Sequence, residues 1–207
     1  ENKDVLDTLE GDIHFTKRYL FDKHINMLSL CEVAGEEIEN SERVNISFNG
    51  EVREVSEELI DKPRILVFDI ETYNDGKTYS NSKDDPIITI GFYSNYGLKK
   101  VLTWKKVNLD YVDVFTDEKQ MLVEFIDLVN KEEPDFFVGY FSDGFDLPYI
   151  KERCDFHKIK LRLNLDGSSV RISKGSNNAV NLKGFCHIDV LKFIRIVLKD
   201  SLETGSY

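Results

Sequence analysis

The sequence predicts an α/β chain: a mixed sheet flanked by helices, preceded by a small β-containing appendage. Three observations carry that expectation. Arg64-Ile65-Leu66-Val67-Phe68-Asp69-Ile70-Glu71-Thr72 begins with a continuous apolar run, the pattern of a strand buried on both faces. Met121, Leu122, Phe125, Ile126, Leu128 and Val129 recur at helical spacing, as a core-facing stripe does. From residue 64 to residue 157 the segments run strand, strand, strand, helix, strand, helix, an order compatible with helices packed on a sheet.

In chain order, residues 1–29 are mixed in character. Val44-Asn45-Ile46-Ser47-Phe48 alternates, Asn49-Gly50 reads as a two-residue hairpin turn, and Val52-Arg53-Glu54-Val55 reads as the returning strand. Pro63 marks a boundary, so residues 1–62 and 63–207 are expected to be separate units. The first strand of the second unit covers 64–71, and the polar stretch Asn74 to Pro86 is a loop. Ile87–Tyr93 and Lys100–Trp104 are strands, with Tyr111-Val112-Asp113 in the loop that follows. Thr116-Asp117-Glu118 opens the helix of the apolar stripe. Residues 135–140 form the next strand, and a helix runs from Asp146 to about His157, with Pro148 suited to its first turn. Val170-Arg171-Ile172 and Ala179-Val180-Asn181-Leu182 flank a hairpin tip at 175–178. A strand Phe185–Ile188 and a helix Val190–Leu198 close the pattern. There is no internal repeat.

Composition excludes several classes. No apolar run approaches the roughly 20 residues that span a bilayer, and no signal-peptide pattern opens the chain. Cys31, Cys154 and Cys186 are far apart, which fits reduced thiols in a cytoplasmic protein better than a disulfide framework or a zinc site. His14, His24, His157 and His187 are scattered and read as structural. The net charge of −11 argues against a generic nucleic-acid binder. Its distribution softens that: residues 151–199 carry 11 Lys/Arg against 4 Asp/Glu, whereas residues 1–150 carry 16 against 32. Cations for a polyanionic strand beside carboxylates for metals would suit a nuclease; a merely solvated asymmetry is the alternative.

Asp69 and Glu71 sit at alternate positions of one strand and so share a face. Two neighbouring carboxylates there repel and are costly to desolvate. Divalent cations would make the arrangement favourable, and oxygen ligands without Cys or His suit Mg²⁺ or Mn²⁺. The natural chemistry is phosphodiester cleavage by two metals roughly 3.5–4 Å apart. Taken alone, the pair also fits one acid neutralised by Lys or Arg and the other solvated. A second signal is Gly139-Tyr140-Phe141-Ser142-Asp143-Gly144-Phe145-Asp146-Leu147-Pro148-Tyr149, which places Asp146 at a helix start near the end of a strand. Asp146 suits an N-cap, a metal ligand, or both.

Phe68-Asp69-Ile70-Glu71-Thr72, followed by Gly139-Tyr140 and Ser142-Asp143-Gly144-Phe145-Asp146-Leu147-Pro148-Tyr149, resembles the first two motifs of the 3′–5′ proofreading exonuclease domain of family B DNA polymerases, the archaeal ones above all. Asp12–Leu20, Leu102–Lys105 and Gly184–Asp189 extend the resemblance to nearly the whole chain. The resemblance implies a ribonuclease-H-like fold, with 1–62 part of an amino-terminal domain and 63–207 an exonuclease domain truncated at its C-terminal end. The third motif, a Tyr and an Asp four residues apart on a helix, is expected beyond Tyr207, so cleavage by these residues alone is expected to be weak. The family usually has Asn at the position of Phe141, and that Asn helps order the site.

The resemblance further implies that Asp69, Glu71 and Asp146 are the catalytic metal ligands, holding two Mg²⁺ or Mn²⁺ ions. Phe145, Tyr140 and Thr72 would contact the single-stranded 3′ end. Ile13, Phe15 and Arg18 match positions near the pocket by which archaeal relatives sense uracil. The partners implied are DNA, the rest of a polymerase chain and, for the full-length protein, a sliding clamp; no membrane is implied. Two other readings stay open: an inactive module that only binds DNA or protein, and a stand-alone exonuclease of the same superfamily.

Overall fold

The computed structural model describes residues 15–27, 29–39, 46–59, 62–173, 179–184 and 186–198. Contacts divide the chain into two compact units, Glu1–Lys62 and Pro63–Tyr207.

In the first unit, α1 (Phe15–Asp22) precedes a long antiparallel ribbon of β1 (Ser29–Glu37) and β2 (Phe48–Leu59). The ribbon's register corrects the expected hairpin. Asn49 and Gly50 are not a turn but lie inside β2, opposite Glu36 and Gly35. The reason is close backbone approach. A Cβ on Gly50 would come within 2.3 Å of the Ala34 carbonyl oxygen, and one on Gly35 within 2.4 Å of that of Asn49, so both positions accept only glycine. The proposed strand residues Val44 and Asn45 fall outside the described residues. Glu54 fastens the ribbon to the segment after α1, accepting the Asn26 N–H at 2.5 Å and the Ser29 hydroxyl at 3.0 Å.

The second unit holds a six-stranded mixed sheet. Its strands are β3 (Ile65–Thr72), β4 (Ile87–Ser94), β5 (Lys99–Thr103), β6 (Val112–Val114), β7 (Phe136–Gly139) and β10 (Cys186–Asp189), in the spatial order β10-β7-β3-β4-β5-β6. β3 runs antiparallel to β4 and parallel to β7, which runs parallel to β10. A small hairpin, β8 (Arg171–Ser173) and β9 (Ala179–Asn181), precedes β10. Its expected tip lies outside the described residues. Val112–Val114, expected as loop, forms a short edge strand parallel to β5.

Helix α2 (Glu118–Glu132) begins at Asp117, whose side chain accepts the Gln120 N–H, and ends at Glu133 in the left-handed region. The six stripe residues are all buried. Phe125 meets Phe68 of β3 at 6.3 Å and Phe92 of β4 at 5.8 Å, while Phe68 stacks on Phe137 of β7 at 4.1 Å. One sheet face is therefore the core, closed by α2 and by α3 (Asp146–Phe156).

That one-sidedness corrects the expectation for β3. Leu66, Phe68 and Ile70 are buried, but Val67, Asp69 and Glu71 are exposed. The apolar run reflects one packed face plus Val67, not a strand covered on both sides. The last helix, α4 (Val190–Val197), starts at Asp189 directly after β10.

Candidate active site

The strands β3, β7 and β10 are mutually parallel, so their carboxyl ends lie along the same sheet edge, where α/β sheets place their sites. Each end supplies an acid: Asp69 and Glu71 on β3, Asp146 after β7, and Asp189 on β10. β7 pairs with β3 only along Ile65–Val67. Beyond that, the edge of β3 is taken up by a side chain, with the Ile70 N–H donating to Asp146 Oδ1 at 3.2 Å. This contact sets Asp146 against the strand between Asp69 and Glu71.

Asp146 is not the N-cap of α3. Phe145 holds that position without a side-chain cap bond, and Asp146 is the first helical residue, its carboxylate aimed at β3. Asp146 is only 3% exposed. Burial pushes its carboxyl up to about 6, the negative charge of Asp69 adds to the rise, and Asp189 adds further. Among the described residues no cation pairs with Asp69, Glu71 or Asp146. Opposite Asp69 on β4 stands Gly91, where an added Cβ would meet nothing within 4 Å. The space over Asp69 is open.

The donor set is entirely carboxylate oxygen, which fits hard divalent cations and not zinc or copper. Among the described residues, no three His, Cys, Asp or Glu side chains are gathered tightly enough to hold an ion as they stand. A cation would have to draw these carboxylates closer together.

The turn that delivers Asp146 is braced by residues the sequence reading left without a role. Asp189 accepts four N–H groups: Leu191 and Lys192 as the cap of α4, and Phe141 and Asp143 in the turn. Asp143 accepts the Val180 N–H at 2.7 Å and the Lys192 ammonium at 2.6 Å. Ser142 Oγ lies 2.9 Å from His187 Nε2, and His187 Nδ1 is 3.5 Å from Asp143. The sequence Ser, His, Asp is that of a nucleophilic triad, but Ser142 is fully buried, so no substrate reaches it. Burial also holds the His187 imidazole below its usual value, as a neutral bracing group. The one available signal was Asp189 between a strand and a helix, the pattern of an N-cap.

The other candidates are dispersed. Phe145 is partly buried with its ring 5.3 Å from Tyr149. Tyr140 is 60% exposed, and the Thr72 hydroxyl is 2.7 Å from that of Ser80. Phe15 is an exposed residue of α1, and Arg18 lies 3.8 Å from Asp22 on the same helix. Ile13 falls outside the described residues. The three cysteines are free, and none belongs to a group of three or more possible metal ligands among the described residues. No helix among the described residues is long and apolar enough to cross a membrane.

Residues 6–207 match the family described as DNA polymerase family B, exonuclease domain. The DNA polymerase of Pyrococcus glycovorans is 36% identical over 94% of this chain and 21% of its own length. That of Thermococcus hydrothermalis is 36% identical over 92% of the chain and 10% of its own length. The chain thus spans about a tenth to a fifth of the length of these relatives. The family B DNA polymerase of the hyperthermophilic archaeon Pyrobaculum calidifontis superposes with a TM-score of 0.69 at 26% identity, covering 93% of this chain and 24% of that one. The mixed sheet with its helices is accordingly the ribonuclease-H-like architecture of that domain, and the chain belongs to the exonuclease-domain family of the family B DNA polymerases.

Proposed function

We propose that this chain is the proofreading part of a DNA-directed DNA polymerase, hydrolysing the 3′-terminal phosphodiester of single-stranded DNA. The observation that carries the reading is the placement of Asp146 against β3, buried and without a cation, beside the exposed pair Asp69 and Glu71. Such carboxylates favour a ligand that is positively charged. Asp69, Glu71 and Asp146 would hold two Mg²⁺ or Mn²⁺ ions, which would supply water activation and charge stabilisation for the leaving 3′ oxygen. The chain's own residues do the rest. The Ile70 N–H fixes one oxygen of Asp146, Asp189 fixes the turn before it, and the open position at Gly91 admits the strand end. Tyr140, Phe145 and Thr72 are the contacts we assign to DNA. Residues 1–62 would belong to the amino-terminal domain and 63–207 to the exonuclease domain of a longer cytoplasmic chain, with a sliding clamp as a partner of the whole.

The test uses the full-length protein. Asp69→Ala with Glu71→Ala should abolish 3′–5′ degradation of a labelled single strand and leave primer extension intact. Loss of both activities would make the pair structural, and retention of both would remove the metal assignment. A second reading, an inactive binding module, is favoured by Phe141 at the usual Asn position and by the absence of a tight acid cluster among the described residues. Titration with Mn²⁺ separates the two, since such a module should show no paired site.

A further inference from the structure

We infer that Phe141 is a stacking platform for a nucleobase near the 3′ end of single-stranded DNA, and so sets how this site grips its strand; the inference rests on the nuclease reading above. Phe141 adopts φ 56°, in the left-handed region that disfavours a side chain with a Cβ. Aromatic residues are rarely found there, and Asn tolerates it far better. The conformation is fixed from both sides. The Phe141 N–H donates to the buried Asp189 carboxylate at 3.0 Å, and its carbonyl accepts from Gly144 at 3.0 Å and Phe145 at 2.9 Å.

Core burial does not compensate for this strain. The inward position of the turn belongs to Ser142, while Phe141 is 46% exposed and follows the exposed Tyr140. The ring lies over Gly144, where a Cβ would come within 2.2 Å of it, so the neighbouring position is kept bare for the ring. Gly144 and Phe145 also line a cleft of about 330 Å³ between residues 80–82 and the start of α3. A strained, exposed ring on the same turn that delivers Asp146 points to a ligand contact. A nucleobase is the occupant that fits an exposed ring beside a nuclease site: every base offers a flat π-face, so stacking holds any sequence.

The experiment uses the full-length protein with Phe141→Leu, Phe141→Asn and Phe141→Trp. The probes are a 5′-labelled oligodeoxythymidylate and the same strand with abasic residues at its last three positions. Phe141→Leu and Phe141→Asn should raise KM for the thymidylate strand about tenfold with kcat within twofold, and Phe141→Trp should restore it. Abasic substitution should weaken the wild type clearly more than the Leu variant, which keeps only the penalty owed to its other aromatic contacts, Phe145 and Tyr140. The same comparison is made by equilibrium binding in EDTA. If no protein cleaves, the nuclease reading falls, while the binding difference still decides the role of Phe141. Equal KM and binding for wild type and Phe141→Leu, or an abasic penalty that persists undiminished in the variant, would overturn the inference. So would a loss confined to thermal stability, which would show that the ring packs against protein. Phe141→Asn suits the left-handed backbone, so it separates loss of the ring from backbone strain in the comparison.

Discussion

The second unit contains two buried acidic centres that differ in one respect. Glu118 of α2 is buried, and so is its partner Arg153 of α3. Arg153 grips it with two nitrogens, Nε to Oε1 at 2.9 Å and NH2 to Oε2 at 2.5 Å. His157 Nε2 stands 2.7 Å from Oε2, and the Ile87 N–H donates to Oε1 at 2.8 Å. Burial pushes Glu118 up, yet Arg153, His157 and the Ile87 amide outweigh it and hold the carboxyl below its usual range. Asp146 is as deeply buried but has a single backbone donor from β3, two acidic neighbours and a carboxyl raised to about 6. Burial alone therefore does not set a carboxyl's preference for charge; partnership does. Glu118 is closed on itself and joins α2, α3 and β4. Asp146 is left with unmet demand for positive charge, and that demand is what a ligand can satisfy.

The largest expected effect breaks the closed centre. Arg153→Ala leaves the buried Glu118 with only His157 and the Ile87 amide as partners, and also removes donors to the Ser82 and Lys83 carbonyls. Removing one partner of a buried pair costs about 3–5 kcal/mol. Urea unfolding at pH 7 should show a loss of that size. The double variant Glu118→Leu with Arg153→Met should recover much of it, because well-packed apolar groups replace a buried pair at little cost. A loss below about 1 kcal/mol in the single variant would deny the pair its bracing role.

The two centres also differ in how far the sequence revealed them. Asp69 and Glu71 announce themselves because a period of two puts them on one strand face, and the stripe of α2 is legible from its period of 3.6. Glu118, Arg153 and His157 meet across 35 and 39 residues, a separation that carries no local signal. Asp189 had a cap's position between strand and helix but was given no role, and its reach to Phe141 and Asp143, 48 and 46 residues earlier, depended on the β10–β7 pairing. The one-sided burial of β3 was illegible for a related reason. Val67 is as apolar as a core residue, and only the sheet's packing decides which face it joins. At Asn49-Gly50 a strong turn dipeptide was overridden by cross-strand contact with Gly35.

A smaller effect sharpens the comparison by pH. Asp146 has its folded value raised from 3.8 to about 6. Between those values the folded state binds the extra proton, so this group lowers stability as pH rises through that window. The penalty is absent below about pH 4 and full above about pH 6–7, and the rise from 3.8 to about 6 corresponds to about 3 kcal/mol as an upper figure. In EDTA, Asp146→Asn should be more stable than wild type at pH 8 by up to that amount and equal to it near pH 4. Glu118 behaves oppositely: its lowered value contributes stability above its ordinary range that is lost on acidification through the folded value. Glu118→Gln should therefore be destabilising at pH 7, with a difference that narrows in acid. An Asp146→Asn difference that is the same at pH 4 and pH 8 would show that charge is not what burdens the site.

The smallest expected change in stability tests the open space itself. Gly91 faces Asp69 across the β3–β4 pair, and an added Cβ there touches nothing within 4 Å. Its backbone is not in the left-handed region, so a β-branched residue is compatible with the strand. Gly91→Val should leave the unfolding free energy within about 1 kcal/mol of wild type, because strand propensity favours Val and its Cβ displaces no atom. The same side chain projects on the face of Asp69, since directly paired residues of antiparallel strands point the same way. It should therefore obstruct whatever approaches that carboxylate. Mn²⁺ binding, followed by electron paramagnetic resonance, should weaken at least tenfold, about 1.4 kcal/mol, while a urea melt in EDTA stays in place. At the closed centre no comparable separation is available: a side chain pressed into Glu118 and Arg153 must disturb packing and binding together. If Gly91→Val binds Mn²⁺ like wild type, the open space over Asp69 plays no part in cation binding.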